Sequence, residues 1–139
     1  MGRSAALWES LYIRGSFADA LGYATVIWPQ FDEVGGMIFL SEHVGGPRTA
    51  DAIAQTMREL AGDRSEVERQ YNLVEVSEFF ARPTDPDDDE RLFALLLADA
   101  WKVKLSVEFP TRSFAVETFV DDDGRWITFH EERKQVTTT

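Results

Sequence analysis

The chain has 139 residues, of which 44% are apolar, a length and composition that fit one domain with a packed core. Its 14 basic and 25 acidic residues give a net charge of −11, which disfavours direct binding to nucleic acid or an anionic membrane, because both depend on Lys and Arg. There is no cysteine, so disulfides, thiolate nucleophiles and Cys-ligated metal sites are excluded.

A helix is predicted over residues 4–14. Its larger apolar side chains recur at helical spacing and are Leu7, Trp8, Leu11 and Tyr12. Because further apolar residues extend this surface around most of the circumference, we expect the helix to be buried or shared with a partner, including a second copy of the chain. Trp8 and Tyr12 are therefore candidate protein-binding residues.

No leader or membrane span is predicted. Residues 1–20 contain no basic stretch followed by a continuous apolar run, and no apolar run approaches the roughly 18–20 residues that cross a bilayer. These features are typical of a cytoplasmic protein.

The next segments predict a short helix and three short strands. Ser16 and Asp19 have the spacing of a capping box, and the helix after Ser16 is expected to end at Gly22. β-branched and aromatic residues predict a strand over 23–28. Two further strands, 31–34 and 37–40, flank a glycine pair that is typical of a tight hairpin turn.

Two helices follow in the middle of the chain. Thr49 is placed to cap a helix over 50–61 that Gly62 ends, and Asp63 is placed to cap a second helix that runs toward Tyr71. Apolar and polar residues then alternate over 73–79, which predicts a strand.

The second half of the chain predicts one long helix and a hairpin. Prolines make 83–86 a loop, and an apolar stripe of period 3.6 predicts a helix over 87–109. A separate strand over 104–109 remains an alternative. Alternation over 113–120 and 126–130, around Asp and Gly turn residues, predicts a C-terminal β-hairpin.

The order of these elements determines the expected architecture. Helices precede, split and follow the strands without a βαβ rhythm, which favours an α+β fold with an antiparallel sheet of about four to six short strands covered by helices. We expect a single domain over 1–139, with a frayed tail from about residue 132. The sequence leaves the strand order open.

Two acidic segments are the most visible motifs. Residues 85–90 hold five carboxylates, but the spacing of a calcium loop fails, because its sixth position holds Glu90 and its twelfth Leu96. Acids at a helix start stabilise its free N–H groups, and the alternative is a docking patch for a basic partner. The candidate protein-binding acids are Asp87, Asp88, Asp89, Glu90, Asp121 and Asp122.

Candidate catalytic residues are few. His43 follows Glu42 at the end of a predicted strand, and one interpretation is a general base with Glu42 or Asp32 nearby. The commoner case is a loop histidine without a catalytic role. His130 lies at the end of the last strand. No metal-ligand spacing or phosphate-binding glycine motif is present, so no metal and no cofactor are predicted.

These patterns favour a binding protein over an enzyme. Ten phenylalanines, four tryptophans and three tyrosines exceed the needs of a small core, and aromatic residues are enriched at interface centres. The leading hypothesis is a small acidic cytoplasmic protein-binding module, of inhibitor, immunity or accessory type, that meets a basic protein without catalysis. The alternatives are a small-molecule pocket or hydrolase-type enzyme that uses His43, and a nucleic-acid mimic.

Overall fold

The computed structural model describes Glu9, residues 15–79 and residues 86–133, with side chains given for all of these except Pro86 and Asp87. Glu9 is helical. The rest of the predicted N-terminal helix, with Trp8 and Tyr12, lies outside the described residues, as do most of the predicted 83–86 loop and the last part of the predicted tail.

The described residues form a mixed α+β fold, as the sequence predicts. In chain order the helices and strands are α1 (Phe17–Ile27), β1 (Phe31–Val34), β2 (Met37–Leu40), α2 (Thr49–Glu59), α3 (Arg64–Tyr71), β3 (Val74–Glu75), α4 (Pro86–Glu108), β4 (Phe114–Asp121) and β5 (Gly124–Glu131). Two single-turn 3₁₀ helices, Ser41–His43 and Val76–Phe79, follow β2 and β3.

The strands divide into two antiparallel sheets rather than one. β1 and β2 form a hairpin of their own, and the second sheet has the order β3-β5-β4. The predicted C-terminal hairpin is confirmed: β4 and β5 pair over their full length, from Phe114 opposite Glu131 to Asp121 opposite Gly124.

The predicted glycine turn between β1 and β2 is also confirmed. Gly35 and Gly36 have φ angles of +60° and +81°, which residues with a side chain rarely adopt. A Cβ at Gly36 would lie 2.6 Å from the guanidinium of Arg64, but the end of that long side chain can move aside, so the φ angle rather than space requires glycine here. The hairpin therefore depends on both glycines for its tight turn.

The predicted strand over 23–28 is wrong, because α1 continues through Gly22 to Ile27. The predicted cap is confirmed, since the Ser16 Oγ accepts a hydrogen bond from the Asp19 N–H at 3.1 Å. Tertiary contacts outweigh the strand propensity of the β-branched residues here, since the Trp101 indole donates to the Val26 carbonyl at 2.8 Å.

The predicted strand over 73–79 is shorter than expected. Only Val74 and Glu75 pair with β5, and the chain then turns into the 3₁₀ helix Val76–Phe79. The Ser77 hydroxyl accepts from the Arg125 N–H at 3.2 Å. The Ser77 hydroxyl thus takes the place of a β3 backbone carbonyl as the partner of the Arg125 N–H, and β3 ends there.

The three remaining predicted helices are confirmed, with one change at a cap. α2 begins at Thr49 itself, so Arg48 occupies the cap position and no side chain caps the helix. Asp63 caps α3 as predicted, accepting from the Glu66 N–H at 3.1 Å. α4 runs to Glu108, so the alternative strand over 104–109 is wrong.

Two apolar clusters lie on the two faces of the β1–β2 hairpin. One packs Ile38 and Leu40 against α4 and β5, and the other packs Met37 and Phe39 against α2 and α3. All four β2 side chains are therefore buried, which explains why this strand is continuously apolar.

Two buried polar side chains, Glu68 of α3 and Asn72 directly after it, connect the two sheets. Glu68 accepts from the Ile38 N–H at 2.8 Å and the Glu131 N–H at 3.1 Å. Asn72 accepts from the Leu40 N–H at 3.0 Å and donates to the carbonyls of Ile38 and Phe129. Because β3 leaves this end of β5 unpaired, Glu68 and Asn72 satisfy backbone groups that would otherwise be buried without partners.

Candidate functional site: an apolar cleft with an acidic rim

The described residues enclose a concave cleft of about 1080 Å³. It lies between the second half of α1, the Ser41–His43 turn and the segment from Leu73 to Phe79. Most of its lining is apolar, including Leu21, Ala24, Trp28, Leu40, Val74, Phe79, Trp101 and Trp126. Its volume of about 1080 Å³ slightly exceeds the range of roughly 300–1,000 Å³ that is typical of ligand sites.

α1 forms one wall of the cleft, and Tyr23 is one of the residues that attach it to the rest of the described fold. The Tyr23 hydroxyl donates to the Phe79 carbonyl at 3.2 Å, and the Tyr23 ring lies edge-on to Phe93 with the two centroids 6.1 Å apart. No side chain of α1 is fully buried, and Phe17 is 90% exposed. The helix therefore presents apolar surface that the described part of the fold leaves uncovered.

Carboxylates form the rim of the cleft. Glu42, Glu75 and Glu78 line it, and the described residues in its lining include no Lys or Arg. The Lys104 Nζ lies 5.8 Å from the centre of the Trp28 ring, but it also pairs with the Glu108 carboxylate at 3.1 Å. The cleft thus combines an apolar interior with a negative edge.

Glu75 and Glu78 are close enough to influence each other. The pKa of Glu75 is raised above its ordinary value by desolvation, by a hydrogen bond with the Glu78 carboxyl, and by the charges of Glu78, Asp123 and Asp121. Carboxylates of the β4–β5 turn therefore add to the negative potential of this rim.

In the β4–β5 turn, Gly124 lies close to the side chains of Glu75 and Ser77 at the rim of the cleft. Gly124 has a φ of +145°, and a Cβ there would lie 2.9 Å from both the Glu75 Oε1 and the Ser77 Oγ. Asp121 accepts from the Trp126 indole at 2.8 Å and from the N–H groups of Asp123 and Gly124. The indole hydrogen bond is the main reason that the pKa of Asp121 lies below its ordinary value.

The structure brings two of the three candidate catalytic residues to the cleft. Glu42 and His43 line it, but Asp32 is exposed on β1 and is not among the lining residues. His43 Nδ1 lies 2.6 Å from the Tyr71 carbonyl oxygen. Because a carbonyl only accepts, Nδ1 carries the proton, and Nε2 holds the lone pair of the neutral ring.

None of the candidate binding acids is among the described residues that line the cleft, although α4 and β5 both contact the 3₁₀ helix Val76–Phe79, which contributes Glu78 and Phe79 to the lining. The first turns of α4 contact the 3₁₀ helix Val76–Phe79, where Phe93 lies edge-on to Phe79 at 6.2 Å between ring centres. β5 contacts the same segment near Asp121 and Asp122. Asp88 pairs with Arg91 at 3.0 Å, and the protein-binding role of Asp87 to Glu90 stays a prediction.

His130 lies away from the cleft, with its Nδ1 3.4 Å from the Glu117 Oε1. Within the described part of the chain, no three His, Asp or Glu side chains come together in an arrangement that would hold a metal ion.

Glu75, Glu78, Trp28 and Trp126 are site residues that the sequence analysis did not identify. In the predicted strand over 73–79, Glu75 shares the polar face with Ser77, whereas Glu78 falls on the face of Val74 and Val76. The predicted strand over 23–28 places Trp28 among buried residues. The apolar Phe79 directly after Glu78 is the one local signal that the alternation breaks there.

No protein-family model, curated protein or solved structure matches this chain. Among the described residues, no helix combines the length and the apolar character needed to cross a membrane. Function is therefore inferred from the cleft and its surroundings.

Proposed function

We propose that this protein is a binding module that holds a basic, partly apolar segment of another protein in the cleft beside α1. One observation carries the proposal: among the described residues that line an apolar cleft of about 1080 Å³ there are three glutamates and no Lys or Arg. Such a site is complementary to a segment that presents aliphatic or aromatic anchors between Lys and Arg side chains.

The apolar interior supplies affinity in this proposal. Leu21 and Trp28 are 68% and 46% exposed, so an anchor that covers them removes apolar surface of both partners from water. Full burial of one large apolar side chain contributes about 1.5–3 kcal/mol, and a few such anchors dominate the energy of most interfaces.

The acidic rim supplies attraction and selectivity. Rim charges act chiefly on the association rate, which they raise for partners of opposite sign, and this effect weakens as salt screens the charges. With a net charge of −11, the whole molecule reinforces the local field at Glu42, Glu75 and Glu78. A positively charged segment is therefore the favoured ligand.

A random peptide library displayed on phage tests the proposal. Panning against the protein is expected to enrich peptides with Lys or Arg beside Leu, Phe or Trp. Synthetic versions are then titrated while the tryptophan fluorescence of the protein is followed. Enrichment of acidic or uncharged peptides would contradict the proposal.

Paired variants locate the binding site. The double variant Glu75→Gln/Glu78→Gln is expected to weaken peptide binding about 3- to 10-fold, and Leu21→Ser about 5- to 30-fold. Their matched controls are Asp51→Asn/Glu59→Gln on α2 and Val120→Ser on β4, none of which lines the cleft. Equal effects of the control and cleft variants would show that the peptides bind elsewhere.

One observation favours a second function, which is acid–base chemistry on a small molecule. The bond from His43 Nδ1 to the Tyr71 carbonyl leaves Nε2 as the nitrogen that carries the lone pair of the neutral ring, on a residue that lines the cleft. The test is a thermal-shift screen with small metabolites on the wild type and His43→Ala. A ligand whose stabilisation is lost in His43→Ala supports this function, and a flat screen rejects it.

A further inference from the structure

β3 is an edge strand that borders the cleft. In the order β3-β5-β4, one side of β3 pairs with β5, and the other side has no neighbouring strand among the described residues. Leu73, Val74 and Glu75 all line the cleft. The open side of β3 is therefore a place where another extended chain can add to the sheet.

The hydrogen bonds of β5 show which backbone groups of β3 face the open side. The Arg125 N–H and the Phe129 carbonyl both bond to side chains that flank β3. Because the direction of the backbone groups alternates along a strand, Ile127 also points toward β3, where its partner is Val74. Val74 therefore uses its N–H and carbonyl on β5, and the residues before and after it direct theirs to the open side.

Three backbone groups on the open side are available to a ligand. They are the N–H and the carbonyl of Leu73 and the N–H of Glu75, and no other described residue donates to them or accepts from them. The Glu75 carbonyl directly precedes the 3₁₀ helix Val76–Phe79 and accepts its first hydrogen bond. Leu73 and Glu75 are both half-buried, so a bound chain can satisfy groups that have limited access to water.

The cleft reaches both faces of β3, which places it along the open edge. Val74 packs against the apolar cluster that contains Trp101, on the α4 side of the sheet. Glu75 and Trp126 are cross-strand partners at the next position, so their side chains share the opposite face. All four residues line the cleft. Since β5 occupies the other side of β3, a cavity that contacts both faces passes along the open edge.

We propose that the segment bound in the cleft is an extended strand that pairs with the open edge of β3. This inference rests on the proposed function and adds the conformation and the residue pattern of the ligand. Two ligand residues that are two positions apart supply two carbonyls for the N–H groups of Leu73 and Glu75, and one N–H for the Leu73 carbonyl. These three bonds form in either strand direction.

The two faces of β3 determine the residue pattern of the ligand. Successive side chains of a strand point to opposite faces, so every second ligand residue lies on the apolar side with Val74 and Trp101. The intervening residues lie on the side of the Glu75 carboxylate, and the described lining residues include no Lys or Arg that would repel a cation. The favoured ligand is therefore a strand in which apolar and basic residues alternate.

Two nine-residue peptides of equal composition test this pattern. One alternates Val and Lys, and the other arranges the same residues so that Val pairs and Lys pairs follow each other. Binding is measured by the tryptophan fluorescence of the protein. The alternating peptide is expected to bind at least about tenfold more tightly, because the paired arrangement places Lys on the apolar side of β3.

Backbone N-methylation tests the hydrogen bonds. In one variant of the alternating peptide every Val nitrogen is methylated, and in the other every Lys nitrogen. Only one of these two sets of N–H groups faces β3, so one variant is expected to lose binding about tenfold or more and the other less than about threefold. Loss with methylated Lys indicates an antiparallel ligand, because Lys then lies opposite Leu73. Loss with methylated Val indicates a parallel ligand, because Val then lies beside Val74.

Amide hydrogen exchange, followed by NMR on the whole protein, locates the pairing. In the free protein, the N–H groups of Leu73 and Glu75 are expected to exchange faster than that of Val74, which bonds to β5. A saturating amount of the alternating peptide is expected to slow the exchange of Leu73 and Glu75 about tenfold or more. The Val120 N–H is the matched control, since it points to the open edge of β4, and it is expected to be unaffected.

Three results would overturn the inference. Slow exchange of Leu73 and Glu75 in the free protein would show that another part of the chain already covers the edge. Equal binding of the two peptides, or no binding of the alternating one, would show that the ligand is not a strand. Equal effects of the two methylation patterns would exclude pairing through the backbone. If the phage library still enriches basic apolar peptides, these results reject the strand and leave the proposed function in place.

Discussion

Glu68 is the residue whose loss should destabilise the fold most clearly. It is 0% exposed and accepts hydrogen bonds from the Ile38 and Glu131 N–H groups and from the guanidinium of Arg133. In Glu68→Ala these two N–H groups lose their acceptor between the sheets, and Arg133 keeps its contact with the Glu131 carboxylate at 3.1 Å.

The magnitude follows from the groups left without partners. Each buried donor that loses its acceptor costs about 1–3 kcal/mol, so two of them give a loss of about 3–5 kcal/mol once some water entry is allowed. No Coulomb energy is added for Arg133, because its side chain is 25% exposed and partly solvated. Such a loss is a large part of the roughly 5–15 kcal/mol that stabilises a typical domain.

Urea unfolding followed by tryptophan fluorescence measures this change. The midpoint is expected to fall while the m-value stays constant. Gln70→Ala on the exposed face of α3 is the control, and its effect should stay within about 0.5 kcal/mol. If the free energy of unfolding of Glu68→Ala lies within about 1 kcal/mol of the wild-type value, Glu68 is not the link between the sheets that its hydrogen bonds imply.

Three further predictions concern pH and glycine. The pKa of Glu75 is raised in the folded state, so its contribution to the free energy of unfolding is present at low pH and is lost as the pH rises from the ordinary value of 4.5 through the folded pKa. Glu75→Gln should therefore reduce the fall in the urea midpoint over this pH interval. Glu59→Gln is the control. The pKa of Glu131 is lowered in the folded state, chiefly by a hydrogen bond from Arg112. The contribution of Glu131 to the free energy of unfolding is therefore present at pH values above the ordinary glutamate pKa and is lost as the pH falls through the folded pKa. Arg112→Ala should shift acid unfolding, followed by circular dichroism, to higher pH and cost about 1–3 kcal/mol at neutral pH; an unchanged acid midpoint would contradict this. Gly124→Ala should cost about 1–3 kcal/mol in thermal unfolding, because of its φ of +145° and the close Glu75 oxygen, whereas Gly22→Ala in an open helical position should stabilise by about 0.5–1 kcal/mol.

Local sequence signals predicted the conformation correctly where neighbouring residues supply the hydrogen bonds or the backbone angles that a segment needs. Ser16 and Asp63 cap the helices after them, as their spacing predicts. The glycine pair at 35–36 specifies its hairpin because few other residues adopt those φ angles. The long helix was predictable because its core-facing stripe repeats over many turns, and one ambiguous stretch does not outweigh it.

Local signals failed where a contact from a distant segment decides the conformation. The residues over 23–28 have strand propensity, but the indole of Trp101, far away in sequence, is bonded to the carbonyl of Val26 in α1. The hydroxyl of Ser77 ends β3 early by bonding to Arg125. Neither bond leaves a periodic pattern in the sequence.

The amino-acid sequence by itself determined the α+β class, the capped helices, the two tight hairpins and the excess of negative charge, because each depends on neighbouring residues or on composition. Only the tertiary structure decided that Glu42, Glu75 and Glu78 line one apolar cleft, that Asp32 does not, and that Glu68 and Asn72 link two sheets. Those groupings join side chains from distant parts of the chain, and their geometry is fixed by packing rather than by spacing along the backbone.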